Sequence, residues 1–181
     1  MSAGGTEQPQ YNRSMPDGRI VQLSVSAGGV PKRAVPEARV TTLGLVGDAH
    51  HDDTHHGGPE RAVCLFSLEA IDALAAEGHA IEPGTLGENV TVDGIDWTLM
   101  APGVRVQLGD QVVLEVTRYT SPCFKIAGVF LGREFGRVSQ KRHPGWSRVY
   151  TRVLVEGALR TGDPIRLLTE RPAAEVGIAR S

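Results

Sequence analysis

The chain has 181 residues, 40% of them hydrophobic, with a net charge of −2 and a pI near 6.3. That length and apolar share suit one domain with a real core, and the slight acidity gives no global electrostatic case for nucleic acid. Two cysteines make no disulfide framework, Met1 to Gly18 lacks the apolar segment of a signal peptide, and no run approaches the roughly 18 apolar residues of a membrane span. The expectation is a soluble, cytoplasmic protein with reduced thiols and neither a nucleic-acid nor a membrane partner.

In chain order, residues 1–18 are rich in Gly, Ser, Gln and Pro and read as a disordered tail, residues 19–168 as the domain, and residues 169–181 as a second tail. The first strand runs from Arg19 to Ser26, with Val21, Leu23 and Val25 on one side, and Ala27 to Pro31 breaks it in a turn. A second strand covers Ala38 to Leu43. Gly44-Leu45-Val46-Gly47-Asp48 then opens a polar loop, Ala49 to Glu60, that holds four of the six histidines. A short buried strand follows, Ala62 to Phe66, with Cys64 read as core. Ser67 caps a helix from Leu68 to Glu77, which Gly78 ends, with an inward stripe of Leu68, Ile71 and Ala75.

Glu82 to Gly87 is a loop into a strand, Glu88 to Val92. Gly103 to Leu108 and Gln111 to Tyr119 read as strands around a Gly109-Asp110 turn. Arg148 to Glu156 alternates, with Val149, Thr151, Val153 and Val155 facing one way, and Gly162-Asp163 repeats the turn before a last strand through Leu168. The sum is a mainly β domain with a few helices, barrel-like in architecture. No glycine loop stands between a strand and a long helix, which excludes Rossmann and P-loop readings.

Three stretches carry chemistry. In Thr120 to Ala127, Ser121 is a good N-cap, Pro122 suits the first helical position, and Cys123 falls in the first turn, where free N–H groups and the helix dipole favour a thiolate. Lys125 adds positive charge. The competing reading is a buried thiol that happens to open a helix. The second stretch is His50-His51-Asp52-Asp53-Thr54-His55-His56-Gly57-Gly58-Pro59-Glu60-Arg61. Its density of imidazoles and carboxylates suits zinc, with His51, His55 and His56 as ligands, although Asp-Asp-Thr followed by Gly-Gly-Pro does not support a helical pairing of His51 with His55. Alternatively, Gly57 and Gly58 expose N–H groups to an anion, with His56 and Arg61 as donors, or the loop is simply solvated.

The third stretch, Arg137 to Trp146, carries Lys141 and Arg142, a point charge and a planar fork suited to phosphate, and Trp146, which can cover a ligand ring. A solvated surface turn is the alternative. Catalysis by Cys123 would call on a histidine base, from His50, His51, His55, His56 or His143. Gly87-Glu88-Asn89 is a further polar point at a strand entrance.

Taken in order, Gly44-Leu45-Val46-Gly47-Asp48, His56-Gly57-Gly58-Pro59-Glu60-Arg61-Ala62-Val63, Gly87-Glu88-Asn89, Leu108-Gly109-Asp110, Ser121-Pro122-Cys123 with Lys125, and Gly162-Asp163 resemble the MOSC domain, the family named after the C-terminal domain of molybdenum cofactor sulfurase. The resemblance covers roughly residues 19–168. It implies a barrel-centred fold and makes Cys123 the functional cysteine, a ligand to molybdenum in a pterin cofactor or a persulfide carrier. It also implies cofactor contacts from His55, His56, Gly57, Gly58, Arg61, Asn89, Ser121, Lys125, Lys141 and Arg142.

The leading expectation is a stand-alone molybdenum-dependent enzyme that reduces small N-hydroxylated compounds with an external electron donor. One alternative is a non-catalytic sulfur or cofactor carrier served by a cysteine desulfurase. The other is a zinc enzyme built on the histidine loop.

Overall fold

The structure, a computed structural model, describes residues 18–49 and 58–168. Both tails read from the sequence fall largely outside that range, as do His50, His51, His55, His56 and Gly57.

Eleven strands and one α-helix follow one another as β1 (Gly18–Val25), β2 (Arg33–Val35), β3 (Glu37–Thr41), β4 (Gly44–Leu45), β5 (Val63–Ser67), α1 (Leu68–Ala76), β6 (Val90–Asp93), β7 (Arg105–Leu108), β8 (Val112–Tyr119), β9 (Val149–Val155), β10 (Gly157–Arg160) and β11 (Pro164–Leu168). Seven of them close a barrel in the order β11-β7-β8-β9-β5-β6-β1, with β1 pairing back to β11 and β2 flanking β1. Every neighbour pair is antiparallel except β5–β6, which α1 connects as a parallel crossover. A small sheet, β10-β3-β4, stands apart from the ring. The β-barrel expected from the sequence is therefore present. The second strand is shorter than read, and β10, whose residues alternate between buried and exposed, lies between the strand read to Glu156 and the Gly162-Asp163 turn, where the sequence reading has no element.

Strand alternation builds two cores. On β5, Val63 and Leu65 join the barrel interior with Leu23, Val90, Val106, Leu114 and Val149, while Phe66 faces outward into a second cluster with Ile71, Leu74, Ile126, Phe130 and Val138. β5 is thus buried on both faces, which explains its unbroken apolar run. On β9, Val149, Thr151 and Val153 point inward as expected, but Val155 is exposed. The ladder to β8 slips there: Val113 pairs with Val155 and Leu114 with Val153, so Leu154 is the extra residue of a bulge and the alternation ends.

α1 begins where the sequence placed it. The Ser67 hydroxyl accepts the Ala70 N–H at 3.2 Å and donates to Glu69 at 2.7 Å. The other oxygen of Glu69 takes the Gly94 amide, tying the helix to the end of β6. Gly78 ends it with a φ of 93°. The buried face is Ile71 and Leu74 rather than Leu68, Ile71 and Ala75, because α1 presents its i, i+3 row to Phe66 and Ala75 points to solvent. The two Gly-Asp turns meet at one end of the barrel: the Gly109 N–H bonds the Pro164 carbonyl at 2.8 Å, and Asp163 accepts the Arg160 N–H.

Candidate functional site

The outward face of the β5–β9 pair is the floor of a cavity of about 660 Å³. Cys64 and Tyr150 are directly paired across the two strands, so both side chains leave the barrel on the same side, and Arg148 follows from the alternation of β9. The far wall is the segment after β8. The chain leaves β8 at Thr120, held by its N–H on the Arg148 carbonyl (2.9 Å) and by the Ser147 hydroxyl on its carbonyl (3.1 Å). Ser121, Cys123, Phe124, Lys125 and Ile126 then line the opening.

Cys123 is not in the first turn of an α-helix. It is extended, with φ −124° and ψ 167°, and itself precedes a six-residue 3-10 helix, Phe124–Val129; Ser121 makes no cap. The reason is local. Pro122 pushes the residue before it, Ser121, to extended backbone and so away from helix entry, and Phe-Lys-Ile-Ala-Gly-Val is too short and too glycine- and β-branch-weighted to propagate an α-helix. The dipole argument for a thiolate therefore falls away. Lys32, Lys125, Arg133 and Arg148 line the same cavity.

Arg148 is the most constrained of these. It is 7% exposed, donates through Nη1 to the Leu86 carbonyl, and its Nε has no hydrogen-bond partner. Beside it, Glu88 is fully buried, and burial drives its carboxyl above the usual carboxylate range, against the opposing pull of the Gly84 N–H and of Arg148. One Glu88 oxygen accepts the Gly84 amide at 2.6 Å and the other is unpaired. Gly87 is confined between these neighbours, since a Cβ there would lie 2.7 Å from Val30 Cγ1.

Asn89 lines the cavity as expected, but its side chain is spent on structure. Its oxygen accepts the Cys64 N–H at 3.1 Å, and its nitrogen donates to Asp48 at 2.7 Å and to the Ser24 carbonyl at 3.3 Å. Asp48 also accepts the Ser26 amide at 2.9 Å and pairs with Lys32. The Gly-Asp and Glu-Asn motifs are thus two halves of one brace that holds β1, β5 and the cavity floor together. Gly44 belongs to the same fit, because a Cβ there would collide with the Ala62 carbonyl at 2.3 Å.

The two thiols differ. Cys64, read as core, is buried yet borders the cavity, and desolvation pushes its thiol up to about 11. Cys123 is partly exposed. Tyr150 lies in electrostatic reach of both, and of Arg148 and Arg61; its burial raises the phenol to about 12. Arg61 ends a short 3-10 turn opened by Gly58, and neither residue lines the cavity.

Lys141 and Arg142 are elsewhere. They line a second cavity of about 810 Å³ that touches the first only through Ser121 and Arg133. Consecutive 3-10 turns between Leu131 and Val138 carry the chain away from the Cys123 lip before it reaches them. Trp146 covers no ligand space: its ring lies 3.6 Å under the Arg137 guanidinium, which Glu77 grips with both oxygens. His143 lines neither cavity. The histidine-loop residues proposed as ligands lie outside the described residues, and among the described residues no three His, Cys, Asp or Glu side chains are grouped to hold a metal.

Sequence reading missed Lys32, Arg133, Arg148 and Tyr150. The signal for two of them was present, since inward Val149 and Thr151 require outward Arg148 and Tyr150. Among the described residues no helix is long and apolar enough to cross a membrane.

Comparison with known proteins adds a family and a fold. A family model described as the MOSC domain matches residues 52–166. YflK, an uncharacterized protein of Bacillus subtilis, is 32% identical over 124 residues, 68% of this chain and 55% of that one. A protein of Gibberella moniliformis named a reductase is 34% identical over 137 residues, 73% of this chain but 24% of the fungal one. The chain thus spans about half of the first relative and a quarter of the second. The crystal structure of YiiM from Geobacillus stearothermophilus superposes with a TM-score of 0.65 over 84% of this chain and 75% of that one, at 22% identity.

Proposed function

The chain belongs to the MOSC domain family, and from that premise we propose that its Cys123 cavity binds a molybdopterin-type molybdenum cofactor and serves the reduction of N-hydroxylated compounds. The observation that carries this reading is a partly exposed thiol on the lip of a cavity whose walls carry four cations, one of them buried with an orphaned donor. A pterin phosphate answers the unpaired Arg148 Nε and the charge of Lys125. A soft sulfur donor suits molybdenum.

When bound, the cofactor supplies two-electron chemistry next to Cys123. The chain's own contributions are these. Cys123 holds the metal end, and Ser121 and the neighbouring cations hold the anionic end. Tyr150 stays protonated at neutral pH, within electrostatic reach of both thiols. Cys64, pushed up to about 11, remains a neutral thiol and leaves the ligand role to Cys123. In the net reaction the N–O bond breaks, two electrons and two protons are taken up, and amine and water leave. The electrons come from an external donor. The fungal relative named a reductase supports reductive chemistry, although that name belongs to a much longer chain.

The test is metal and pterin analysis of protein made in a molybdenum-replete host, followed by turnover of a hydroxylamine with a chemical or protein reductant. Stoichiometric molybdenum that disappears in Cys123→Ala is the expected result. Equal molybdenum in wild type and variant overturns the assignment of the thiol. A persulfide on Cys123 after exposure to a cysteine desulfurase, with no turnover, assigns the protein to sulfur relay instead. Zinc in place of molybdenum in an active preparation returns attention to the histidine loop.

A further inference from the structure

The second cavity is left without a role by the reading above. Its lining includes three cations, Arg133, Lys141 and Arg142, against one carboxylate, Glu134, and among the described residues none of the three cations is in an ion pair. That excess of about two positive charges matches a phosphate monoester, which carries about −1.5 to −2 at neutral pH. Two planar guanidinium forks suit an oxyanion over a simple halide, and the charge excess favours the doubly charged phosphate over a singly charged carboxylate.

All three cations are exposed, and Arg142 and Arg133 each rest against a neighbouring group. Arg142 lies flat on Gly136, where an added Cβ would stand 2.7 Å from its Nη1, so a side chain at that position would displace the guanidinium. The turn beneath it is closed by the Arg142 and His143 N–H groups, both on the Ser139 carbonyl, at 3.1 and 2.7 Å. Arg137, the remaining cation of the segment, is gripped by Glu77 through Nε and Nη2, lies over Trp146, and does not line the cavity, so it pins the segment.

Arg133 stands at the junction. It lines both cavities, and among the described residues it is the one non-glycine residue with a positive φ, 62°. A left-handed conformation costs a residue with a Cβ about 1 kcal/mol or more, and such strain persists where surrounding structure over-determines it. Here its N–H bonds the Phe130 carbonyl at 3.0 Å, and its guanidinium rests 4.7 Å from the centre of the Phe124 ring.

We propose that this second cavity is a binding site for a phosphate monoester, with Arg133, Lys141 and Arg142 as its anion clamp and Ser121 marking the passage to Cys123. A ligand seated there places its phosphate on the clamp and its organic end toward the thiol, so the clamp selects phosphorylated substrates. That selection rests on the proposed function above; the phosphate site itself does not.

Calorimetric titration of the full chain tests it, with phenyl phosphate, inorganic phosphate and phenol as probes. Phenyl phosphate binds most tightly, phenol does not bind, and Lys141→Ala/Arg142→Ala weakens phenyl phosphate by about tenfold or more. Arg142→Lys, which keeps the charge but not the fork, loses only part of that, and Glu134→Gln tightens binding by about threefold. Circular dichroism verifies that each variant is folded. Unchanged affinity in the double variant overturns the site, and inorganic phosphate binding more tightly than the ester overturns the ligand class. Loss of pterin from the double variant hands these cations to the cofactor and also overturns it. In Cys123→Ala the phosphate affinity is retained: phosphate binding without molybdenum sinks only the cofactor reading, and molybdenum without phosphate binding sinks only this one.

Discussion

Cys64 and Cys123 border the same cavity, yet the floor that carries the first and the lip that carries the second are built differently. The floor is β5, paired on both sides, buried on both faces, and locked by the Asn89–Asp48–Lys32 brace. The lip is a proline-preceded extended residue followed by a single short 3-10 helix. A thiol in the floor is well positioned but desolvated into neutrality, whereas a thiol on the lip is accessible and sits among cations. Rigid burial and chemical availability oppose each other, and the molecule divides them between two residues of one cavity.

The sharpest way to break this comparison is to exchange the consequences of losing each region. Cys123→Ala should abolish molybdenum retention and any reductive turnover while shifting the urea midpoint by no more than about 0.5 kcal/mol in stability. A large stability loss would mean the lip is structural. The next largest contrast is in reactivity. With its thiol at about 11, about one Cys64 in a thousand is ionised at pH 8, so iodoacetamide on the native protein should modify Cys123 and leave Cys64 untouched by mass spectrometry. Denaturation should then expose Cys64 to the reagent.

In the opposite direction, Leu65→Ala removes a fully buried side chain from the floor strand and should cost about 2–5 kcal/mol in chemical denaturation. The smallest effect concerns Glu88. Because burial raises its folded-state pKa above the unfolded value, its contribution to stability is most favourable below the ordinary carboxylate range and declines as pH rises toward the folded pKa. Glu88→Gln keeps an acceptor for the Gly84 amide and should flatten that decline, making the variant relatively more stable as pH rises. A steeper decline in the variant would show that the carboxylate's attraction to Arg148 outweighs its desolvation.

The barrel was largely legible because half-buried strands alternate and their turns carry glycine. Ser67 as a helix cap, the Gly-Asp hairpins and the inward side of β9 up to its bulge could all be read directly. Ser121, Cys123, Lys125 and Asn89 line one cavity. What could not be read depends on contacts between distant segments. Lys32 reaches the cavity only because Asp48 and Asn89 draw β1 and β5 together. The outward direction of Arg148 follows from β9, but its anchoring on the Leu86 carbonyl does not. The split between Cys123 and the Lys141–Arg142 pair arises from a chain of 3-10 turns, whose direction no periodicity encodes. Val155 was misplaced because a bulge leaves no mark in an alternating sequence.

The ring of strands is closed unevenly. Among the described residues, which begin at Gly18, β1 and β11 share two paired positions, Gly18 with Ile165 and Arg19 with Pro164, whereas β8 and β9 share six. Going round the ring, the β5–β9 junction that floors the cavity lies on the side away from this seam. Breathing of the barrel should therefore begin between β1 and β11, with amide hydrogens there exchanging first and those of Leu65, Tyr150 and Thr151 last. The fold concentrates its motion across the barrel from its chemistry, so thermal opening of the ring leaves the geometry around Cys64 and Tyr150 undisturbed.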